Sequence, residues 1–220
     1  MSSDDKNIPN IPSKAEMLAA LEQRHGKTIQ DKFSRATVAV CGLGGLGSNI
    51  AISLARAGVG RLILIDYDKV DITNLHRQQY KVTQIGQPKA KALSDNLAEI
   101  APYITVRQHN VKIDPTNAIA LLCDADIVCE AFDNAENKAM LVNTVLEVMP
   151  DKYLVSASGM AGLGSPNEIK TRRISSHFYL CGDGTSEVSE CESLVAPRVA
   201  LCAAAQALTV LRILIGNYEV

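Results

Sequence analysis

No two of the six cysteines, at 41, 123, 129, 181, 191 and 202, form a CxxC pair. That absence argues against a disulfide framework and a self-contained zinc site, and most of the thiols read as reduced and buried. Basic blocks are missing too. Lys and Arg together number 22 against 24 Asp and Glu, a net charge of −2, so nothing calls for nucleic acid or a membrane surface as a partner. The amino terminus, MSSDDKNIPNIPSK, has no apolar core and is acidic before it is basic. This argues against a secretory or mitochondrial address and makes the cytoplasm the expected compartment. Histidines number four; His25, His109 and His177 belong to no pattern, and His76 is expected to point to solvent. Apolar residues are plentiful, at 47% of 220, enough for one full core.

Residues 1–34 read as a loose tail followed by a helical segment, and residues 35–220 as a single domain. Ser13 with Glu16 makes a capping box for a helix that stops at Gly26, and Thr28 to Phe33 adds a further turn or two. Strands and helices then alternate: strand 36–41, helix 46–57, strand 61–66, helix 87–100, strand 103–109, helix 114–122, strand 126–131, helix 134–149 and strand 152–158. The expectation is an α/β fold, a Rossmann-like doubly wound and mostly parallel sheet. Residues 167–174 look like an added antiparallel strand leading away from that sheet. Residues 175–196 are polar and weakly patterned and are expected to form a mobile functional loop. Val199 to Ile215 is mostly apolar, with Gln206, Thr209 and Arg212 on one stripe. A run this short that carries an arginine reads as a helix buried against the sheet or a second subunit rather than as a membrane span.

The densest signal is TVAVCGLGGLG at 37–47, followed by RLILIDYD ending its strand at Asp66. An apolar strand, a Gly42-x-Gly44-x-x-Gly47 turn, a helix, and an acid closing the next strand form the first βαβ of a nucleotide-binding fold. Gly42 serves the tight turn, Gly44 and the neighbouring Gly45 let backbone approach a phosphate, and Gly47 lets the helix lie close to the sheet. Asp66 is placed to accept from a ribose diol. The bland reading of such a loop is an NAD-dependent dehydrogenase.

The residues after Asp66 depart from that reading. DYDKVDITNLHRQQY sets Asp66, Asp68, Asn74, Arg77 and Gln78 after the second strand, GQPKAK adds Lys89, and EAFDN puts Asp133 at the end of the fourth. All fall at carboxyl ends of strands, where open α/β sheets bind ligands. Asp68 has two readings, a ligand contact or the cap of a turn. Lys91 and Lys138 read as solvated charges.

Taken together, GLGGLG, DxD, NLxRQ, QPK and FDN resemble the family of ubiquitin-like-protein activating enzymes that includes ThiF and MoeB. The resemblance runs from about Arg35 to Ile215, and VSASGMAGLG and FYLCGDG are most similar to the short ThiF type. It implies an ATP- and Mg²⁺-dependent adenylyltransferase. Its substrate would be the C-terminal glycine carboxylate of a small ubiquitin-like sulfur carrier of the ThiS kind, in thiamine thiazole biosynthesis, and the enzyme would be a homodimer. By that resemblance Arg77 and Lys89 neutralise phosphate charge, Asn74 and Gln78 orient phosphates, Asp66 holds the ribose and Asp133 binds Mg²⁺. Cys191 lies at about the place of a cysteine that takes the activated carrier in larger members. Glu190 and Glu192 beside it offer no cation to lower a thiol pKa, so a covalent role and an incidental loop thiol both stand.

Two family features are missing. The two CxxC pairs of larger members are absent, which makes zinc unexpected. So is their N-terminal arginine motif, for which Arg24 is the nearest substitute. Rival readings are adenylation of a molybdopterin-type carrier or of a small carboxylic acid, a non-catalytic ATP- and carrier-binding partner, and the dehydrogenase. The joint presence of Arg77, Lys89 and Asp133 disfavours the non-catalytic partner, and NLHRQ with QPK disfavours the dehydrogenase.

Overall fold

In the computed structural model of the protein, residues 11–189 and 193–220 are described. Helix α1 (Lys14–His25) opens on the expected capping box: the Glu16 amide donates to Ser13 Oγ at 3.3 Å and the Ser13 amide to Glu16 Oε2 at 2.7 Å. Helix α2 (Lys27–Arg35) follows, and Gln30 within it donates to Gly58 O at 3.2 Å. Because Gly58 lies just before the second strand, these two helices sit at the amino edge of the sheet.

Seven strands form that sheet: β1 (Thr37–Cys41), β2 (Arg61–Ile65), β3 (Thr105–His109), β4 (Ile127–Glu130), β5 (Tyr153–Ala157), β6 (Lys170–Arg173) and β7 (Phe178–Gly182). Their order is β3-β2-β1-β4-β5-β7-β6, all neighbours parallel except β6 against β7. The remaining helices are α3 (Gly45–Arg56), α4 (Lys89–Ile100), α5 (Ala118–Leu122), α6 (Ala135–Val148) and α7 (Ala196–Leu214). Alternate residues of each strand serve opposite layers, as a pleat requires. Val38, Val40, Leu62 and Ile127 pack under α3, α4 and α7, while Ala39, Ile63, Val128 and Leu154 pack under α5 and α6. The strand order reverses direction at β1: β1 and β4 stay paired to their ends, where Cys41 faces Glu130, and the connections that leave those ends run to opposite faces of the sheet and leave a crevice between them.

Two sequence expectations change here. Residues 175–196 are not one long loop, because Phe178–Gly182 within them forms β7, inserted between β5 and β6. Tyr179 and Cys181 of this strand are buried. Its period of two is only five residues long and flanked by serines and glycines, which hides it in the sequence. Accordingly residues 170–173 do not lead away but close the edge of the same sheet. Helix α7, long and apolar enough by composition to cross a membrane, packs along α3. Its polar stripe turns inward: Gln206 is fully buried and Thr209 nearly so, whereas Leu208 is exposed.

Candidate active site

The glycine turn is shaped by what surrounds it. Gly42 has φ +88°, and a Cβ on Gly47 would lie 1.8 Å from Gly42 O, so this tight a crossing of β1 and α3 requires glycine at both places. Gly44 differs. A Cβ there would meet nothing nearer than Gln78 Nε2 at 3.7 Å, so its bareness serves the open space above it. Backbone amides at the start of α3 face that space, the arrangement that binds anions at helix N-termini.

Asp66 is 7% exposed, and its carboxylate is built into the loop: Oδ2 accepts from the Leu43 amide at 2.6 Å and Oδ1 from the Asp68 amide at 2.8 Å. Burial pushes this carboxyl up, against the pull of Lys89 and the two amides. Tyr80 Oη donates to Leu43 O at 2.7 Å and clamps the same turn from the other side. Burial, aided by Asp66 and Asp68, pushes the Tyr80 phenol up and keeps it a donor.

Asp68 does more than cap a turn: its Oδ2 lies 3.0 Å from Lys89 Nζ. The Lys89 side chain is only 7% exposed, so the pair is an anchored cation rather than a surface charge. Lys91, two residues on and so on the opposite face of α4, pairs with Asp95 at the surface at 2.5 Å. Arg77 stacks its stem on the glycine loop, where a Cβ on Gly45 would be 3.5 Å from Arg77 Cδ. Buried Arg77 Nε and Gln78 Oε1 have no hydrogen-bond partner among the described residues. Unspent polar atoms at a cavity wall mark where a ligand completes the bonding. His76 does not simply face water, since its Nδ1 is 3.0 Å from Thr73 O and its Nε2 3.2 Å from Leu194 O.

Except for Gly47, which supports the loop from behind, all the predicted site residues within the described chain line one cavity of about 610 Å³. Asp133 stands exposed on the β4 side of it, without an ion pair or hydrogen bond among the described residues. Cys191 lies outside the described residues. Arg24 is exposed on α1, at the opposite edge of the sheet from this chain's own cavity. Among the described residues no three His, Cys, Asp or Glu side chains are grouped to hold a metal ion.

The sequence model of the ThiF family matches residues 17–220. The chain belongs to the ThiF family. It is 39% identical over 136 residues to the adenylyltransferase and sulfurtransferase MOCS3 of Caenorhabditis briggsae, covering 61% of this chain and 33% of that protein. It is 29% identical over 205 residues to the adenylyltransferase and sulfurtransferase UBA4 of Candida glabrata, covering 90% of this chain and 47% of that one. The chain thus spans between about a third and a half of these two relatives. In fold it is similar to the E. coli tRNA N6-threonylcarbamoyladenosine dehydratase TcdA in complex with ATP, with TM-score 0.83 and 21% identity over 94% of this chain and 97% of that one.

Sequence reasoning missed part of the site of this ThiF-family chain. Lys138, read as a solvated charge, lines the cavity with Nζ 2.5 Å from Glu130 Oε2. Glu130 is fully buried and also accepts from Ser156 Oγ and, at 2.7 Å, from the Phe132 amide. Glu130 and Lys138 are eight residues apart, one on a strand and one on a helix, so no local periodicity pairs them. A charge closing an otherwise apolar strand, IVCE, was the available signal. Lys138 is already neutralised by Glu130 and so forms wall rather than free positive field.

Proposed function

We propose that the chain is an ATP-dependent adenylyltransferase that activates the C-terminal glycine carboxylate of a small ubiquitin-like sulfur carrier. The observation that carries this reading is the set of unspent polar atoms at the glycine loop, Arg77 Nε and Gln78 Oε1, beside the anchored Lys89 in one cavity. A carboxylate oxygen would form a bond to the α-phosphorus while the bond from that phosphorus to the bridging oxygen breaks. The electron pair leaves with pyrophosphate, and no proton needs to move. Carboxylate and phosphate repel, so the protein's contribution is alignment and positive charge. Arg77 and Lys89 supply that charge, and the first amides of α3 receive phosphate oxygens. Asp133, exposed and without an ion pair among the described residues, would hold a Mg²⁺ ion through its one carboxylate, and an ion bound there would offset leaving-group charge.

The ThiS-like carrier of thiamine thiazole biosynthesis is the particular substrate we infer, supported by the similarity of VSASGMAGLG and FYLCGDG to the short ThiF type. The names of MOCS3 and UBA4, each pairing adenylyl transfer with sulfur transfer, support a sulfur carrier over a small carboxylic acid. A homodimer is part of the same reading, supported by the exposed Leu201 and Leu208 along the outer side of α7. Pyrophosphate exchange with purified carriers tests the activity. Carrier-dependent exchange is expected, and its absence with ThiS-type and molybdopterin-type carriers alike would refute the proposal.

A further inference from the structure

Among the segments that line the cavity, residues 158–161 after β5 and 186–188 after β7 form the wall on the far side of β1 and β4 from Asp66 and Lys89. Neither segment is helix or strand. They are stitched to each other: the Asp183 amide donates to Gly159 O and the Gly184 amide to Ser158 O, both at 2.9 Å, and the Ala161 amide to Ser186 Oγ at 2.9 Å. Asp183 Oδ1 accepts from the Thr185 and Ser186 amides, each at 2.8 Å, and Oδ2 accepts from Ser186 Oγ at 2.6 Å.

One side chain fastens this stitched wall to the body of the fold. Arg198, in the first turn of α7, is 6% exposed. Its Nη1 donates to Gly164 O at 2.6 Å and Ser165 O at 3.0 Å, and its Nη2 to Asp183 Oδ2 at 2.7 Å and Glu168 Oε2 at 3.2 Å. A planar fork can meet four acceptors from separate segments at once; an ammonium cannot. Burial alone would push the Asp183 carboxyl up. The bonds from Ser186, Thr185 and Arg198 outweigh it and hold the carboxyl well below its ordinary range, so the contact stays charged. The next residue, Val199, presses on the glycine loop: a Cβ on Gly45 would lie 2.9 Å from Val199 Cγ1. A single helical turn therefore touches the phosphate loop through one residue and the far wall through the other.

We infer that Arg198 is a positioning residue for the carrier half of the reaction, holding in place the wall past which an extended glycine tail reaches the α-phosphate. This rests on the adenylation proposed above. A Gly-Gly tail offers no side chains to grip, so its alignment depends on walls that are already in position. Nucleotide binding, served by Asp66, Lys89 and the amides of α3, does not need them.

The test compares wild type with Arg198→Met, Arg198→Lys and Asp183→Asn. Three readouts are taken: hydrogen exchange of the free protein, calorimetric ATP binding, and pyrophosphate exchange driven by a purified ThiS carrier ending in Gly-Gly. In Arg198→Met, amides of 158–165 and 183–188 are expected to exchange at least about 10-fold faster, because opening no longer breaks the clasp. Its ATP affinity should stay within about 3-fold, while carrier-dependent kcat/KM falls about 10²-fold, the scale set by a misplacement of about 1 Å. Arg198→Lys should recover part of this loss, since an ammonium can still meet Asp183. Unchanged carrier kinetics despite faster amide exchange would overturn the inference, and so would ATP affinity falling as far as carrier kinetics. If Arg198→Met does not fold, the isosteric Asp183→Asn is read by the same criteria. Wild type that binds ATP but exchanges pyrophosphate with no carrier refutes the proposed activity and this role with it, while the amide exchange still reports whether the clasp exists.

Discussion

Both oxygens of the Asp66 carboxylate are taken by backbone amides, those of Leu43 and Asp68, so replacing it cannot act on the nucleotide alone. Asp66→Asn keeps the shape but sets an NH₂ against one of those amides, and both a higher ATP KM and a lower melting temperature are expected. The pH dependence has a definite sign. The folded-state pKa is raised, mainly by burial, so the stability linked to this proton is full below the ordinary carboxylate range and is lost as pH rises through the folded value. Melts of wild type and Asp66→Asn from about pH 4 to about pH 7 should show the wild-type advantage shrinking as pH rises. An advantage that grows would mean that the amides, not burial, dominate. Lys89 and Asp133 act on charge instead. Lys89→Met and Asp133→Ala should each reduce pyrophosphate exchange by about 10² or more, the usual loss when one electrostatic stabiliser leaves a shielded site. Wild-type turnover at saturating ATP and Mg²⁺ in either variant removes that residue from the mechanism.

At the scale of elements, the glycine loop and α7 give opposite lessons. Gly47→Ala would force a Cβ to 1.8 Å from Gly42 O and drive β1 and α3 apart. The expected cost is at or above the upper end of about 1–3 kcal/mol for overpacking. Gly44→Ala meets no such contact, so its melting temperature should hold while calorimetry shows weakened ATP binding. If both variants lose stability equally, Gly44 is also structural. In α7, buried Gln206 Nε2 donates to Glu130 O at 3.1 Å and Val155 O at 3.3 Å, tying the helix to β4 and β5. Gln206→Leu is expected to cost about 1–3 kcal/mol in denaturant unfolding, the price of leaving buried acceptors unmet. In sequence, α7 reads as a helix buried against the sheet or a second subunit, and the spacing of Gln206, Thr209 and Arg212 places them on one stripe without fixing which way it faces. The carbonyls of Glu130 and Val155 on the interior strands β4 and β5 draw Gln206 inward, while Arg212 on the same stripe reaches the exposed Asn217 and Glu219.

For the whole molecule, the cavity joins loops from β1, β2, β3, β4, β5 and β7, so a ligand seated there stabilises all of them together. ATP with Mg²⁺ at about 100 times its Kd should stabilise the fold by about 2.7 kcal/mol. NADH should give no comparable shift in the same melts, and a shift with NADH alone would return the dehydrogenase reading. The βαβ start, the alternation of elements, and the clustering of Asp66, Asn74, Arg77, Gln78, Lys89 and Asp133 at strand ends were legible in the sequence. Each depends on local periodicity or on glycine and charge at fixed spacing, and strand ends converge in any doubly wound sheet. Long-range partners were not legible. The union of Glu130 with Lys138, the insertion of β7 between β5 and β6, and the Arg198 clasp on Asp183 and Gly164 were decided only by the tertiary structure. They join residues that are distant in sequence or on different elements, and burial, which gives such polar contacts their strength, exists only once the chain has folded.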